Sequence, residues 1–291
     1  MFAQFLQFLY SGATVGSAYA LAALGFTIIY NTSGVINFAQ GEFIMLGGML
    51  AAVLAGAGVP LALAILIAVV VTAAVGLVLE KAVIEPARDA QVVSLIIITI
   101  GASLVVRGLV QIWLGKGTHS LAPFSGDTPI VLFGATLLPQ SLWVLGVTLL
   151  IVAGLGWFFG RTLQGKAMLA TSHNRTAAQL VGINAGRILL MAFGMAALLG
   201  GVGGILLAPI TYTSYDVGIM LGLKGFVAAV LGGLGGGAGA IAGGLILGIA
   251  EAMTAGFISS AYKDAVPFIL ILLILFFMPR GLFGAKVADR V

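Results

Sequence analysis

The sequence contains no cysteine, and only 8% of its 291 residues are charged. Without cysteine the chain can form no disulfide framework, thiolate nucleophile or thiolate metal site. Soluble domains carry about 25% charged residues, so this deficit excludes a water-soluble globule, a disordered chain and a nucleic-acid-binding protein. The two histidines, His119 and His173, lie far apart and predict no metal site. The remaining composition, with 61% apolar residues, is typical of a membrane protein.

Long uncharged runs alternate with short charged loops along the chain. A helix that crosses a bilayer needs about 20 apolar residues, and the runs predict an all-α, polytopic membrane protein with eight or nine helical segments. The predicted spans are residues 6–30, 38–56, 60–80, 91–114, 141–160, 188–208, 219–233, 238–256 and 265–279. The glycine-rich stretch after Leu223 predicts that some of these helices are discontinuous. Residues 1–291 are therefore expected to form a single transmembrane domain.

The basic residues indicate an orientation, because cytoplasmic loops retain lysine and arginine. If the loop of residues 161–187 is cytoplasmic, alternation of the spans places most of the basic residues inside. These are Lys81, Arg88, Arg161, Lys166, Arg175, Arg187, Arg280, Lys286 and Arg290. The external loops then hold only Lys116 and Lys263. This bias predicts an external amino terminus and a cytoplasmic carboxyl terminus.

Polar groups inside membrane spans are costly to bury and are candidates for a transport path. Asn37, Gln40 and Glu42 lie together at the predicted start of the second span. They either bind substrate or close a helix end, since a carboxylate in the first turn of a helix is favoured by the helix dipole. Both interpretations stay open from the sequence.

Glu251 is a second isolated carboxylate within a predicted span. Arg107 and Lys224 are the cations available to pair with a buried carboxylate, although snorkelling to the membrane interface explains these two residues as well. No chain of acidic residues and histidines that would relay protons is visible, which argues against a proton-driven carrier.

Glycine occurs 43 times, and many copies lie at i and i+4 within residues 200–204 and 232–248. Small residues at this spacing let helix backbones approach closely in lipid. Glycines can also mark helix breaks that line a transport pathway. Under the second interpretation, Gly235 and Gly239 are candidates for the substrate path.

The loop of residues 161–187, which we call the coupling segment, is the most distinctive feature outside the spans. Its sequence predicts a short cytoplasmic helix with Thr176 near its start and Gly182 as a cap at its end. Ala177, Ala178, Leu180 and Val181 form a short apolar patch on it. A basic loop that serves topology alone is the alternative. The segment contains no Walker A motif, because Gly165-Lys166 is followed by Ala167, so any ATP must be hydrolysed by another subunit.

Four stretches of the sequence resemble the high-affinity branched-chain amino-acid ABC permeases, and in particular their shorter permease subunits. They are residues 37–42, 165–184, 224–251 and 278–284. The resemblance covers nearly the whole chain. It implies one of two non-identical permease subunits of an importer in the bacterial inner membrane. Two cytoplasmic ATPase subunits and an external substrate-binding protein would complete the importer, and the permease itself would hold no cofactor.

The resemblance also implies roles for individual residues of the coupling segment. In the family, an Ala-Ala pair and a following glycine lie in the element that docks into the ATPases, and these match Ala177, Ala178 and Gly182. Thr176 stands where a more general version of the motif has an acidic residue. The residues assigned to ATPase coupling are Gly165, Lys166, Thr176, Ala177, Ala178, Leu180 and Gly182. Docking is expected to bury Ala177, Ala178 and Leu180.

The implied substrates are branched-chain or related small amphipathic amino acids, imported at the expense of ATP. A related permease for urea, short amides or aromatic acids is the alternative, because the family shares its scaffold among such substrates. A passive channel is a third possibility. An intramembrane enzyme is disfavoured because no Ser/His pair, paired Asp or His/Glu set appears in the spans. No catalytic or metal-binding residue is therefore predicted.

Overall fold

The computed structural model describes residues 1–284, and these residues are mostly helical. The α-helices are α1 (Phe2–Ser33), α2 (Gln40–Gly56), α3 (Leu61–Leu79), α4 (Val92–Leu114), α5 (Pro139–Arg161), α6 (Leu163–His173), α7 (Arg175–Leu180), α8 (Ala185–Thr211), α9 (Val217–Gly232), α10 (Gly237–Phe257) and α11 (Val266–Phe277). Each predicted span corresponds to one of these helices, and α6 and α7 form the coupling segment. Lys286 and Arg290, which were assigned to the cytoplasmic side, lie outside the described residues.

Seven helical segments in the described part of the chain are long and apolar enough to cross a membrane, and α2 and α9 are shorter apolar helices. The peripheral helices α3, α4, α5 and α11 expose many large apolar side chains. Leu150 on α5, Ile112 on α4 and Leu272 on α11 are examples. Such surfaces are stable against lipid or another protein rather than against water. The prediction of an all-α, polytopic membrane protein is confirmed.

Two helices begin inside the bundle rather than at its edge. Gln40, the first residue of α2, donates a hydrogen bond of 2.9 Å to the carbonyl oxygen of Ala196. An α-helix rises about 1.5 Å per residue, so Ala196 lies about 16 Å along α8 from its first residue. α9 begins at a similar depth, because its Gly218 packs against Gly41. Both short helices are thus discontinuous elements that start near the middle of the bundle.

The location of these discontinuities agrees with the prediction in part. The glycine-rich stretch after Leu223 begins within α9, one of the two short helices, whereas the discontinuity at the start of α2 was not predicted. Residues 233–236 form only a tight turn between α9 and α10. The glycines on either side of this turn lie in backbone contact, since a Cβ on Gly239 would overlap the carbonyl oxygen of Gly232. Close packing, rather than helix breakage, therefore accounts for Gly239.

α1 lies at the centre of the bundle and packs against α8, α9 and α10. Small residues make this possible, because a Cβ on Gly16 would overlap the backbone of α10 at Gly244, and one on Gly248 would overlap Gly16. Backbones that approach this closely gain dispersion contacts, which drive helix association where lipid replaces water. The i, i+4 glycine spacing noted in the sequence thus serves helix packing in α10.

Contacts of the two ends of α1 define the two ends of the bundle. At one end, the amino-terminal side, the side-chain oxygen of Gln7 accepts a hydrogen bond of 2.7 Å from the N–H of Thr136. At the opposite end, the coupling side, Asn31 donates to the carbonyl oxygen of Gly235 at 2.8 Å, and α6 flanks the same part of α1. Residues 281–284 return to the coupling side, where they pair with the end of α9.

A two-stranded antiparallel hairpin interrupts the helical pattern of the described residues. Its strands are β1 (Ile130–Leu132) and β2 (Ala135–Leu137), and they lie on the amino-terminal side. Phe133 and Gly134 form the turn with positive φ angles of 52° and 80°. Two central residues with positive φ match the twist of a tight hairpin, and glycine adopts this conformation without strain.

Candidate transport and coupling sites

Glu42 is buried in the first turn of α2 and is held by two residues of α4. It forms an ion pair with Arg107 and accepts a hydrogen bond of 2.8 Å from Ser103 Oγ. The Arg107 Nη2 atom also donates to Ser103 Oγ at 3.2 Å. A buried carboxylate is unfavourable unless it is paired and hydrogen-bonded. Arg107 is therefore a partner of Glu42 and does not snorkel to the interface.

Asn37 and Gln40 are also buried, but they have other partners. The Asn37 side-chain oxygen accepts from the N–H of Ala39 at 3.1 Å, which shapes the turn before α2. The Gln40 carboxamide packs against Gly25, where any side chain would overlap it. Asn37, Gln40 and Glu42 are therefore neighbours in sequence that contact different groups. Their role in the substrate path stays a prediction.

The second buried carboxylate, Glu251, belongs to a network of four side chains from α1, α9, α10 and the turn before α11. Lys224 Nζ lies 3.0 Å from Glu251 and 2.8 Å from Asp264. Tyr19 donates a hydrogen bond of 2.8 Å to Glu251, and the Lys224 ammonium lies 5.7 Å from the centre of the Tyr19 ring. The network neutralises Lys224 and joins the turn before α11 to the bundle.

A partly open cavity of about 320 Å³ lies on the coupling side, between α1, α5, α6 and the α9–α10 turn. Its lining consists of Leu24, Thr27, Ile28, Asn31, Thr32, Val152, Leu155, Gly156, Phe159, Met168, Leu169, Ser172, Gly235, Gly237, Ala238 and Ile241. Gly235, a predicted path residue, has a positive φ of 113° in the turn. Gly239, the other predicted glycine, is not in the lining.

The coupling segment consists of two capped helices. The Thr162 hydroxyl accepts from the N–H of Gly165 and caps α6, and the Asn174 side chain accepts from the N–H of Ala177 at 2.9 Å and caps α7. Asn174 is thus the cap of α7, and Thr176 lies in its first turn, as predicted. Gly182 follows the helix with a positive φ of 90°, which glycine adopts readily at a helix end. The predicted helix and the capping role of Gly182 agree with this geometry.

The apolar patch of the coupling segment divides into buried and exposed residues. Leu180 and Val181 are 84% and 77% exposed, and Ala177 is also exposed. Ala178 is only 3% exposed because it already packs within this chain. A docking partner could therefore cover Leu180 and Ala177, whereas the expectation that docking buries Ala178 is wrong. Lys166 lies exposed on α6.

Sequence reasoning missed several residues of these sites. Ser103 carried a readable signal, because it lies four residues before Arg107 and such pairs share a helix face. Tyr19 and Asp264 carried no such signal in the sequence. Tyr19 contacts Glu251 and Asp264 contacts Lys224, and each contact joins segments that are distant in sequence.

Comparisons with known proteins agree with this architecture. The family model described as branched-chain amino acid transport system / permease component matches residues 8–275. The high-affinity branched-chain amino acid transport system permease protein LivH of Escherichia coli (strain K12) is 34% identical, with 100% of this chain and 99% of that protein covered. BraD of Pseudomonas aeruginosa, which bears the same description, is also 34% identical, with 99% and 98% covered.

Among solved structures, PsaBC from Streptococcus pneumoniae in complex with Fab is similar to this chain, with a TM-score of 0.55 and 12% sequence identity. The match covers 96% of this chain and 97% of that one. At this identity the likeness shows a shared fold alone.

Proposed function

Because the chain belongs to the family of permease components of branched-chain amino acid transport systems, we propose that it is the membrane-spanning subunit of an ATP-driven importer of branched-chain amino acids. The observation that carries this proposal is the 34% identity to LivH and BraD over essentially the whole chain. The family membership and the apolar helices identify a multi-pass membrane permease. The substrate and the energy source are the proposed part.

ATP hydrolysis would take place in separate subunits. The proposed assembly contains a second, non-identical permease, two ATPase subunits and a substrate-binding protein on the other side of the membrane. Exposed Leu180, the last residue of α7, and Val181, which follows it, support a protein contact at the coupling side. Adjacent apolar side chains exposed together at an aqueous surface are typical of a protein contact.

The proposed orientation places the coupling side in the cytoplasm of a bacterial cell and the amino terminus outside. Basic residues support it, because cytoplasmic loops are rich in lysine and arginine. Arg161, Lys166, Arg175 and Arg187 all belong to the coupling segment or its edge, whereas Lys116 lies in the loop on the amino-terminal side. Cysteine scanning with a membrane-impermeant reagent at an exposed residue of each side would test this, since the natural chain has no cysteine.

Transport by the purified complex tests the function. The permease pair, its ATPases and the binding protein are reconstituted in vesicles, and uptake of labelled leucine, urea and phenylalanine is compared with and without ATP. We expect leucine uptake that requires both ATP and the binding protein. An ATPase variant without its Walker A lysine serves as control. Uptake without ATP would indicate a passive channel, and uptake of urea or phenylalanine instead of leucine would refute the proposed substrate.

A further inference from the structure

The cavity on the coupling side combines aliphatic walls with a lining that contains no charged side chain. Leu24, Leu155 and Ile241 contribute to the walls, and α6 closes one side with Met168 and Leu169. A volume of about 320 Å³ is at the lower end of the range for small-molecule sites. The cavity therefore fits a small ligand with a branched alkyl group.

Backbone N–H groups supply polarity at one end of this cavity. Gly237 and Ala238 are the first residues of α10, and both line the cavity. Within residues 1–284 their N–H groups have no hydrogen-bond partner, because the first bond of this helix is donated by Ala240 to Gly236 at 2.9 Å. Gly236, at the cap position, has no side chain that could accept from them. Free N–H groups at a helix start favour a bound anion.

An unpaired hydroxyl is a second, independent feature of the cavity. Thr27 lines it and is only 2% exposed, and its Oγ1 atom has no hydrogen-bond partner among the described residues. A buried hydroxyl without a partner is unfavourable. Rotation about χ1, for which threonine has two rotamers compatible with a helix, would turn this hydroxyl toward a bound ligand. Asn31 fixes the turn before α10, because its side chain donates a hydrogen bond of 2.8 Å to the carbonyl oxygen of Gly235.

We infer that this cavity binds a small aliphatic carboxylate, with the carboxylate at the start of α10 and the alkyl group against α1 and α5. The inference rests on the proposed function, which supplies branched-chain amino acids as ligands. No acidic side chain in the lining could pair with an ammonium group. The carboxylate is therefore the recognised group, and a branched-chain amino acid shares it with the corresponding 2-oxo acid.

This site would respond to ligand on the coupling side, which is cytoplasmic in the proposed orientation. Met168, Leu169 and Ser172 of α6 form part of its wall, and α6 is joined to α7 through Asn174. An occupied cavity would hold α6 in place. Amino acid that accumulates in the cytoplasm would in this way restrict the movement of the coupling segment of the permease.

Direct binding tests the inference at the start of α10. The complete complex is placed in lipid nanodiscs without the binding protein, and binding of labelled leucine and 4-methyl-2-oxopentanoate is measured at equilibrium. Gly237→Pro removes one N–H, and proline suits the first position of a helix after the extended Gly236, with φ −98° and ψ 119°. Gly237→Ala retains that N–H. We expect the proline variant to bind about tenfold more weakly than the alanine variant.

Two glycines of α5 provide a test of the location. A Cβ on Gly156 or on Gly154 would meet nothing within 4 Å, but only Gly156 lines the cavity. Gly156→Leu should therefore fill the cavity and abolish saturable binding, whereas Gly154→Leu should bind as the wild type does. Leucinol, which lacks the carboxylate, should compete at least about tenfold more weakly than leucine.

The outcomes separate this inference from the proposed function. Absence of saturable binding at millimolar ligand, equal competition by leucinol, or equal binding by both α5 variants would each overturn the inference. If ATP-dependent leucine uptake persists in that case, the proposed function stands without the cavity. If the wild-type complex takes up no leucine, the proposed function fails whatever the binding result. Binding of leucine without the oxo acid would support the site and identify the amino acid as its ligand.

Discussion

Leu180 offers the most direct test of whether α7 contacts the ATPase subunits. Its side chain is 84% exposed at the end of α7, so a docked subunit could bury almost all of it. Replacing it with aspartate leaves the helix caps at Asn174 and Gly182 unchanged, and circular dichroism of the variant checks that its helix content is retained. We expect Leu180→Asp to weaken docking of the ATPase subunits and to lower substrate-stimulated ATP hydrolysis.

The size of the effect follows from the area that docking would bury. Full burial of a leucine side chain contributes about 1.5 to 3 kcal/mol. Since Leu180 is almost fully exposed in the free chain, nearly all of this contribution is available to the interface. Its loss corresponds to an about 10- to 150-fold higher dissociation constant, and the desolvation of the new carboxylate adds to that penalty.

Leu163→Asp is the matched control, because Leu163 is also 84% exposed but begins α6 rather than ending α7. Binding of purified ATPase subunit to nanodiscs that contain the permease pair gives the dissociation constants, and ATP hydrolysis gives the turnover. Ala178→Asp is a poorer probe, since Ala178 is buried within the chain and its replacement would disturb α7 itself.

Two results would refute this reasoning. If Leu180→Asp binds the ATPase as tightly as the wild type and turns over normally, α7 does not carry the contact. Coupling would then run through another loop of the same side, and residues 80–90 are the next candidate. Equal weakening by Leu163→Asp would show that added negative charge, rather than a lost apolar contact, is responsible.

Three further predictions concern side chains inside the bundle. Glu42→Gln leaves the partly buried Arg107 without its carboxylate and should destabilise the complex by about 1 to 3 kcal/mol, measured by thermal denaturation. Normal uptake per folded complex would show that Glu42 is structural. Gly239→Leu should prevent assembly because of the contact with α9, whereas Gly101→Leu, on an open surface of α4, should assemble normally in size-exclusion chromatography. Lys224→Met should speed hydrogen exchange in the turn before α11, and unchanged exchange there would contradict its bridging role.

Hydropathy predicted the helices because lipid forces spanning segments to be long, apolar and internally hydrogen-bonded. The predicted ends of the helices were less accurate where the first turn of a helix contains a polar residue. The span predicted at 188–208 begins at Ala185 instead, since Asn184 caps α8 by accepting from the N–H of Arg187 at 3.1 Å. A span that is predicted to begin at the first residue of an uncharged run omits such polar first turns.

The contacts of the buried charges could not be predicted in the same way. Glu42 and Arg107 lie 65 residues apart in sequence, and neither hydropathy nor spacing indicates that α2 and α4 meet at this point. The depth at which α2 begins has the same cause, because it depends on the contact between Gln40 and α8. Both the Glu42–Arg107 ion pair and the start of α2 depend on which helices are neighbours in the fold. A single sequence does not state which helices are neighbours.

α6 connects the two sites that the sequence treated separately. Its Met168 and Leu169 line the cavity, and its last residue is followed directly by the cap of α7, where Leu180 stands exposed. α7 is joined to α6 through Asn174 and to α8 through residues 181–184, and it packs against the rest of the chain through Ala178. A force applied to α7 by a docked partner is therefore transmitted in part to α6. Any displacement of α6 changes the wall of the cavity. Docking and ligand binding should therefore be energetically coupled, and by reciprocity ligand in the cavity should alter ATPase affinity by the factor that the ATPase alters ligand affinity.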